Sequence, residues 1–297
     1  MTARAEAGPD RPPKPFASIS LRRNWVRLVA AALVGVVAAS ARAGGPADAP
    51  VPGDDATYRP TVQVRKGPAV GTGTIVASVE GESLILTASH VLDEAGPLHV
   101  ELNRYNFGWE RSRSAAGFPR KVAATVAARD RDADLAVLRI RGQLRLPYVV
   151  RVAPGSRSVP VGAPVTSIGF DRGERLIGFP SRVRRLDRVD MEKGGGDRPF
   201  LITDHPPEVG RSGGGLFLEN GMLVGVCVAR ARLGPGPVVG MYSPAESVWD
   251  LLRAHENLMA VVDRSSPVVA AAPAPRPAAP GGPADRVDRT GDRRRAN

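Results

Sequence analysis

Between Val62 and Tyr242 the chain alternates short apolar runs with glycine, proline and charged turns. The runs are GTIVASV (73–79), SLILTA (83–88), LHVELN (98–103), DLAVLRI (134–140), APVTSIG (163–169), FLITD (200–204), GLFLEN (215–220), MLVGVCV (222–228) and VVGMY (238–242). All are five to seven residues long and rich in Val, Ile, Leu and Thr, and no long stretch keeps an apolar period of 3.6. That pattern predicts many short strands, and so an all-β sandwich or barrel. The sequence ENGM, Glu219–Met222, predicts a hairpin turn in which Asn220 and Gly221 take positive φ. Helix is expected only at the end. Ser243 can cap it, Pro244 suits its first position and Glu246 completes an S-x-x-E capping box. Val248, Leu251 and Leu252 then supply an apolar face to about His255. About 200 residues of short strands is too much for one small barrel, and the Pro/Gly-bearing stretch from Arg141 to Pro160 divides them into halves.

The two ends read differently. From Arg22 to Ala43 basic residues precede a 13-residue uncharged run, Leu28–Ser40, and then Ala41-Arg42-Ala43. This is the layout of a secretory signal peptide over residues 1–43 with an A-x-A cleavage site; its paired arginines also resemble a twin-arginine signal. The run is short for a bilayer span, so no stable membrane span is expected after cleavage. Residues 44–60 are expected to be flexible. Residues 265–297 hold six prolines, many alanines and a terminal Arg293-Arg294-Arg295 run, the composition of a disordered tail.

Composition and charge narrow the function. The net charge of +11 over 297 residues would raise nucleic acid as a partner. Seven basic and two acidic side chains lie in 1–43, however, and six and three in 265–297. The body keeps 28 basic against 25 acidic, which does not advertise nucleic-acid binding. A single cysteine, Cys227, excludes an intrachain disulfide, and with four histidines argues against a structural zinc site. No cofactor or metal is expected.

Three segments could carry chemistry: LTASHVL with His90 just after an apolar run, DADLAVL with Asp134 opening a strand, and EVGRSGGGLFL with Ser212 in a glycine-rich turn. Singly, each has a structural explanation as a hydrogen-bonded histidine, a turn-forming aspartate and a flexible turn. Together they supply the nucleophile, base and orienting carboxylate that acyl transfer needs. Glycines around Ser212 let a substrate backbone approach, and the amides of Gly210 and Ser212 could face a developing oxyanion. A phosphate-binding reading of GRSGGG fails, since a strand follows it and no P-loop lysine does.

His90 in LTASHV, Asp134 in ADLAVL and Ser212 in GRSGG, in that chain order, resemble the trypsin-like (chymotrypsin-fold) serine proteases, specifically the bacterial HtrA/Deg-type branch. The resemblance continues through GTGTIV (71–76), VGAPVTSIGF (161–170), LITDHPPEVGRSGG (201–214), LVGVCVA (223–229) and VVGMYSPAESV (238–248), covering about Thr61 to Ala260. It implies two six-stranded antiparallel β-barrels, about 61–145 and 156–242, closed by a helix at about 244–256. It also implies an exported endopeptidase acting on polypeptides, unfolded or damaged proteins among them, with the oligomeric state left open. Pro206 and Pro207 would lie at the base of the primary pocket, with Val226, Cys227 and Val228 along its wall. None of these is a carboxylate, so apolar side chains of small to medium size are the expected substrates, and Asp204 is expected to be structural. Two departures stand out. Arg211 occupies a position where HtrA-type enzymes usually carry Asn and trypsin-type zymogens Asp, so pairing with a newly cut N-terminal ammonium is unavailable and the conformation of the loop is open. The tail is too short and polar for a PDZ domain. The competing expectation is a catalytically inactive, protease-like binding module.

Overall fold

The structure, a computed structural model, describes residues 54–109, 117–155, 159–190, 197–233 and 235–265. The proposed signal and nearly all of the proposed tail lie outside them. Barrel one contains β1 (Thr61–Lys66), β2 (Ala69–Val79), β3 (Glu82–Ala88), β4 (Leu98–Leu102), β5 (Arg120–Asp130) and β6 (Leu135–Arg141), closed in the order β1-β2-β3-β6-β5-β4. Barrel two contains β7 (Pro164–Asp171), β8 (Arg175–Asp190), β9 (Asp197–Thr203), β10 (Gly215–Phe217), β11 (Leu223–Arg232) and β12 (Val238–Pro244). It closes as β7-β8-β9-β12-β11-β10, the same topology. Closure requires strands to bend, and register shifts that do this sit in β2 between Ile75 and Ala77, in β5 between Val126 and Ala128, and in β11 between Cys227 and Ala229.

The nearly continuous apolar runs follow from burial on both strand faces. In β3, Ile85 points into the core of barrel one with Val62, Val64, Val100 and Leu138. Its neighbours Leu84 and Leu86 face a second cluster between the barrels, with Ile168, Phe217, Leu223 and Val226 from barrel two. The C-terminal helices complete that cluster through Val248, Leu251, Leu252, Leu258 and Val261.

Several local expectations need correction. The closing helix is two helices, α2 (Ala245–Arg253) and α3 (Glu256–Arg264), and α2 has Pro244 at its N-cap with no side-chain cap bond. Ser243 does not cap it, because its hydroxyl is buried and donates to the carbonyl of Ala133 in barrel one. In the ENGM turn only Gly221 is left-handed (φ 77°), while Asn220 instead accepts the amide of Met222 through its side chain. Flexibility over 44–60 fails for the last residues of that span. Asp54–Thr57 form a helical turn (α1), and Arg59 beside it donates to the carbonyls of Tyr105 and Trp109. The folded unit also continues past 260, since Ser265 Oγ accepts the amide of Ser78 in β2.

Candidate active site

His90 lies in a 3₁₀ turn, Ser89–Leu92, that follows β3. Val91 and Leu92 are buried and anchor the turn, which leaves the imidazole at the surface with 44% of its side chain exposed. Asp134 sits between β5 and β6, where Asp130 Oδ1 accepts the amides of Asp132 and Ala133 and so shapes the turn. The turn former is therefore Asp130, and Asp134 is free for another task. Asp134 has φ 51°, a left-handed conformation that costs a non-glycine residue about 1–2 kcal/mol and that tends to persist at functional sites. The result is a carboxylate used on both oxygens. Oδ1 accepts the amide of His90 at 2.8 Å, and Oδ2 lies 2.6 Å from its Nδ1. Because a carboxylate accepts, Nδ1 carries the proton and the lone pair is on Nε2. Burial lowers the imidazole pKa, but the hydrogen bond and charge of Asp134, helped by Asp93 and opposed by Arg129, leave it raised above the usual histidine value.

Ser212 is supplied by barrel two, in the loop between β9 and β10. Its carbonyl accepts the amide of Thr72 at 2.7 Å. Gly213, with φ 86°, packs so closely that a Cβ would lie 2.1 Å from the carbonyl oxygen of Thr72 and 2.8 Å from the amide of Ala88. Ser212 is thereby seated against the residues that lead into His90. Its hydroxyl makes no hydrogen bond among the described residues.

The peptides around Ser212 are all held from behind. Arg172 N–H donates to Val209 C=O at 2.6 Å, Thr72 Oγ1 donates to Gly210 C=O at 2.9 Å, and Gly214 N–H donates to Arg211 C=O at 2.8 Å. In a trans peptide the N–H points opposite to the C=O. The amides of Gly210 and Ser212 therefore face away from these partners, and neither donates to a group among the described residues. Gly210 has φ 89° and fits because a Cβ would meet the backbone of Phe170, Arg172 and Gly173.

Of the residues expected to shape a pocket, Pro206 is half-buried and Pro207 buried. Val226, Cys227 and Val228 are buried with their side chains in three different core clusters, so any wall they form is made by the backbone of β11. Burial pushes the Cys227 thiol up to about 12. Asp204 pairs with Arg184. A cavity of about 530 Å³ lies elsewhere, beside Phe107, Arg120 and Lys121 of barrel one. Among the described residues no group of three or more His, Cys, Asp or Glu is disposed to hold a metal.

Residues 71–226, just over half of the chain, match the trypsin-like peptidase domain. The chain belongs to the trypsin-like peptidase family. It is 26% identical over 195 residues to a putative protease Do-like 14 of Arabidopsis thaliana, covering 64% of this chain and 42% of that protein. It is 28% identical over 195 residues to the periplasmic serine endoprotease DegP of Salmonella typhimurium, covering 64% and 36%. The chain thus spans well under half the length of these relatives. Among solved structures, an inactive form of Rv3671c from M. tuberculosis, a serine-to-alanine mutant, aligns with a TM-score of 0.53 at 22% identity, over 71% of this chain and 97% of that one. The HtrA-type protease AlgW aligns with a TM-score of 0.54 at 20% identity, over 68% and 62%. At these identities the structural likeness concerns the fold.

Three site residues escaped the sequence: Thr72, Asp171 and Arg172. Thr72 is a buried threonine in a strand with nothing to mark it, and Asp171-Arg172-Gly173 reads only as a hairpin turn. Arg211 did carry a signal, as the residue that departs from the family pattern.

Proposed function

We propose that this chain is a serine endopeptidase. Ser212 Oγ bonds to the scissile carbonyl carbon while its proton passes to His90 Nε2, and the carbonyl oxygen becomes an oxyanion held by the amides of Gly210 and Ser212. Collapse breaks the C–N bond, and the leaving amine takes the proton back from His90. Water then gives a proton to His90 as its oxygen bonds to the acyl carbon, and the Oγ–C bond breaks as His90 returns that proton to Ser212 Oγ. Asp134 keeps His90 in the Nδ1–H tautomer throughout. The observation that carries this reading is the Val209 carbonyl turned onto Arg172, which leaves the Gly210 amide unspent beside Ser212.

The substrates are polypeptides, as the likeness to proteases suggests. A pocket based on Pro206 and Pro207 with the backbone of Val226, Cys227 and Val228 as its wall, and without a carboxylate, favours apolar side chains of small to medium size. The signal layout of residues 1–43 and the periplasmic relatives support export to the periplasm or beyond.

A fluorophosphonate probe tests the activity, because only an activated serine reacts. Wild type is expected to label at Ser212 and Ser212→Ala to lose both labelling and digestion of unfolded casein. Absence of labelling in folded wild type would leave the protease-like binding module as the reading. Peptide-library profiling tests the pocket, and strong cleavage after arginine would overturn it.

A further inference from the structure

Arg211 is the largest fully buried side chain of the described residues, at 0% exposure, and it stands between the two proposed oxyanion donors. Its guanidinium is directed at one neighbouring hairpin, β7–β8, with Nη2 in ion-pair contact but making no hydrogen bond among the described residues. Nε donates to Asp171 Oδ1 at 2.8 Å, Nη1 donates to the carbonyls of Ser167 and Ile177 at 2.9 Å each, and Nη2 lies 2.5 Å from Asp171 Oδ1. The plane lies 4.1 Å over the ring of Phe179. Gly169 makes room for the stem, since a Cβ there would fall 2.7 Å from Arg211 Cγ.

A buried ion pair of this kind seldom adds stability beyond what well-packed apolar residues would give, but its fixed fork geometry orients whatever it is attached to. Here it is attached to the backbone that carries Gly210 and Ser212. The tip of the same hairpin holds the other side of Gly210, because Arg172 N–H binds Val209 C=O. One hairpin therefore grips the loop by a side chain after Gly210 and by a backbone amide before it. Turning the Val209–Gly210 peptide over would break the Arg172 contact and would have to be accommodated between two residues fixed to the same hairpin.

Resting on the peptidase reading above, we infer that Arg211, clamped by Asp171 and the β7–β8 hairpin, is a positioning residue that holds the oxyanion loop with its amides forward at rest. An internal guanidinium–carboxylate pair then does the work that a terminal ammonium, which an arginine cannot pair with, could not do here, so activity does not depend on an activating cleavage.

The test compares wild type, Arg211→Ala, Arg211→Lys and Asp171→Asn on a peptide substrate. Arg211→Ala is expected to lose about 100-fold in kcat, the scale of one lost oxyanion donor, with KM changed only a few-fold. Free guanidinium at tens of millimolar should restore part of that kcat, and sodium at equal ionic strength should not. Arg211→Lys should remain impaired, because the single nitrogen of an ammonium cannot reach acceptors spaced around the Nε and Nη1 positions of a planar fork. Should Arg211→Ala fail to fold, Asp171→Asn, which keeps shape and loses the charge, should lower kcat with KM held. Unchanged kcat in a folded variant, or a loss that guanidinium does not relieve, overturns the inference. If wild type itself fails to label, the peptidase reading falls and the inference is decided separately by a crystal structure of Arg211→Ala or Asp171→Asn. A turned Val209–Gly210 peptide supports it, and an unaltered one overturns it.

Discussion

The two barrels share a topology but hold their reactive groups in opposite ways. Barrel one presents groups that are already bonded to each other, His90 to Asp134, across adjacent turns of one small barrel. Barrel two presents groups with no hydrogen-bond partner among the described residues, the Ser212 hydroxyl and the amides of Gly210 and Ser212, and holds them through the carbonyls and side chain behind them. On the proposed mechanism, the difference reflects what each must meet. A base and its orienter can satisfy one another permanently, whereas donors meant for a transient oxyanion must stay unpaired and so need rigid support from elsewhere.

The sharpest way to break this comparison is to remove the base. His90→Ala should lower kcat about a millionfold, as should Ser212→Ala, and the double variant should be no worse than either single one if the groups act as a unit. Multiplying losses in the double variant would show that the two barrels act independently. Next in size, Asp134→Asn should cost about 10⁴ in kcat through the wrong tautomer. It also has a pH signature. A raised His90 pKa means the neutral base is lost at higher pH than for a free imidazole, so the acid limb of kcat/KM should lie above about 6.5. Removing the Asp134 charge leaves burial as the dominant influence, so that limb should move to lower pH. By the same sign, the contribution of the protonated pair to stability is full at low pH and fades as pH rises through the raised value.

The contact that joins the barrels is smaller in effect. Thr72 Oγ1 donates to Gly210 C=O and accepts Phe170 N–H inside the protein. Thr72→Val keeps the shape and leaves the buried Gly210 carbonyl without its side-chain donor, so urea unfolding should show a loss of about 1–3 kcal/mol, together with a lower kcat. Full stability and activity in that variant would mean that barrel one does not support the loop. The smallest effect is expected at Cys227. With 1% exposure and a thiol pushed up to about 12, it should not react with a disulfide reagent at pH 8 until the protein unfolds.

Much of this was legible because β structure buried on both faces writes itself as apolar runs, and because His90, Asp134 and Ser212 each sit in a local motif. The strands that produced no such run are β1, a short TVQVRK segment, and the longer β5 and β8. In β5 most side chains are at least partly exposed, and β8 mixes Pro180 with five arginines, so neither carries an apolar signature and each is held by its neighbours in the closed barrel. The helix boundary misled for a related reason. Ser243 and Glu246 satisfy a local capping rule, but a longer-range partner, the Ala133 carbonyl, took the hydroxyl.

Local chemistry along the chain was enough to indicate strand content and the three candidate residue types, and the family resemblance marked an exceptional residue before Ser212. Neither could indicate which carbonyls in the Ser212 loop are turned inward, since that depends on Arg172 and Thr72, which lie 37 and 138 residues from the groups they bind. The same holds for Arg211. In sequence it is a departure that leaves the loop in doubt, and in the fold it is a buried cation whose partners, up to 44 residues away, hold that loop in place. Hydrogen-bond direction is a property of the assembled backbone, so it appears only when the two barrels close and pack.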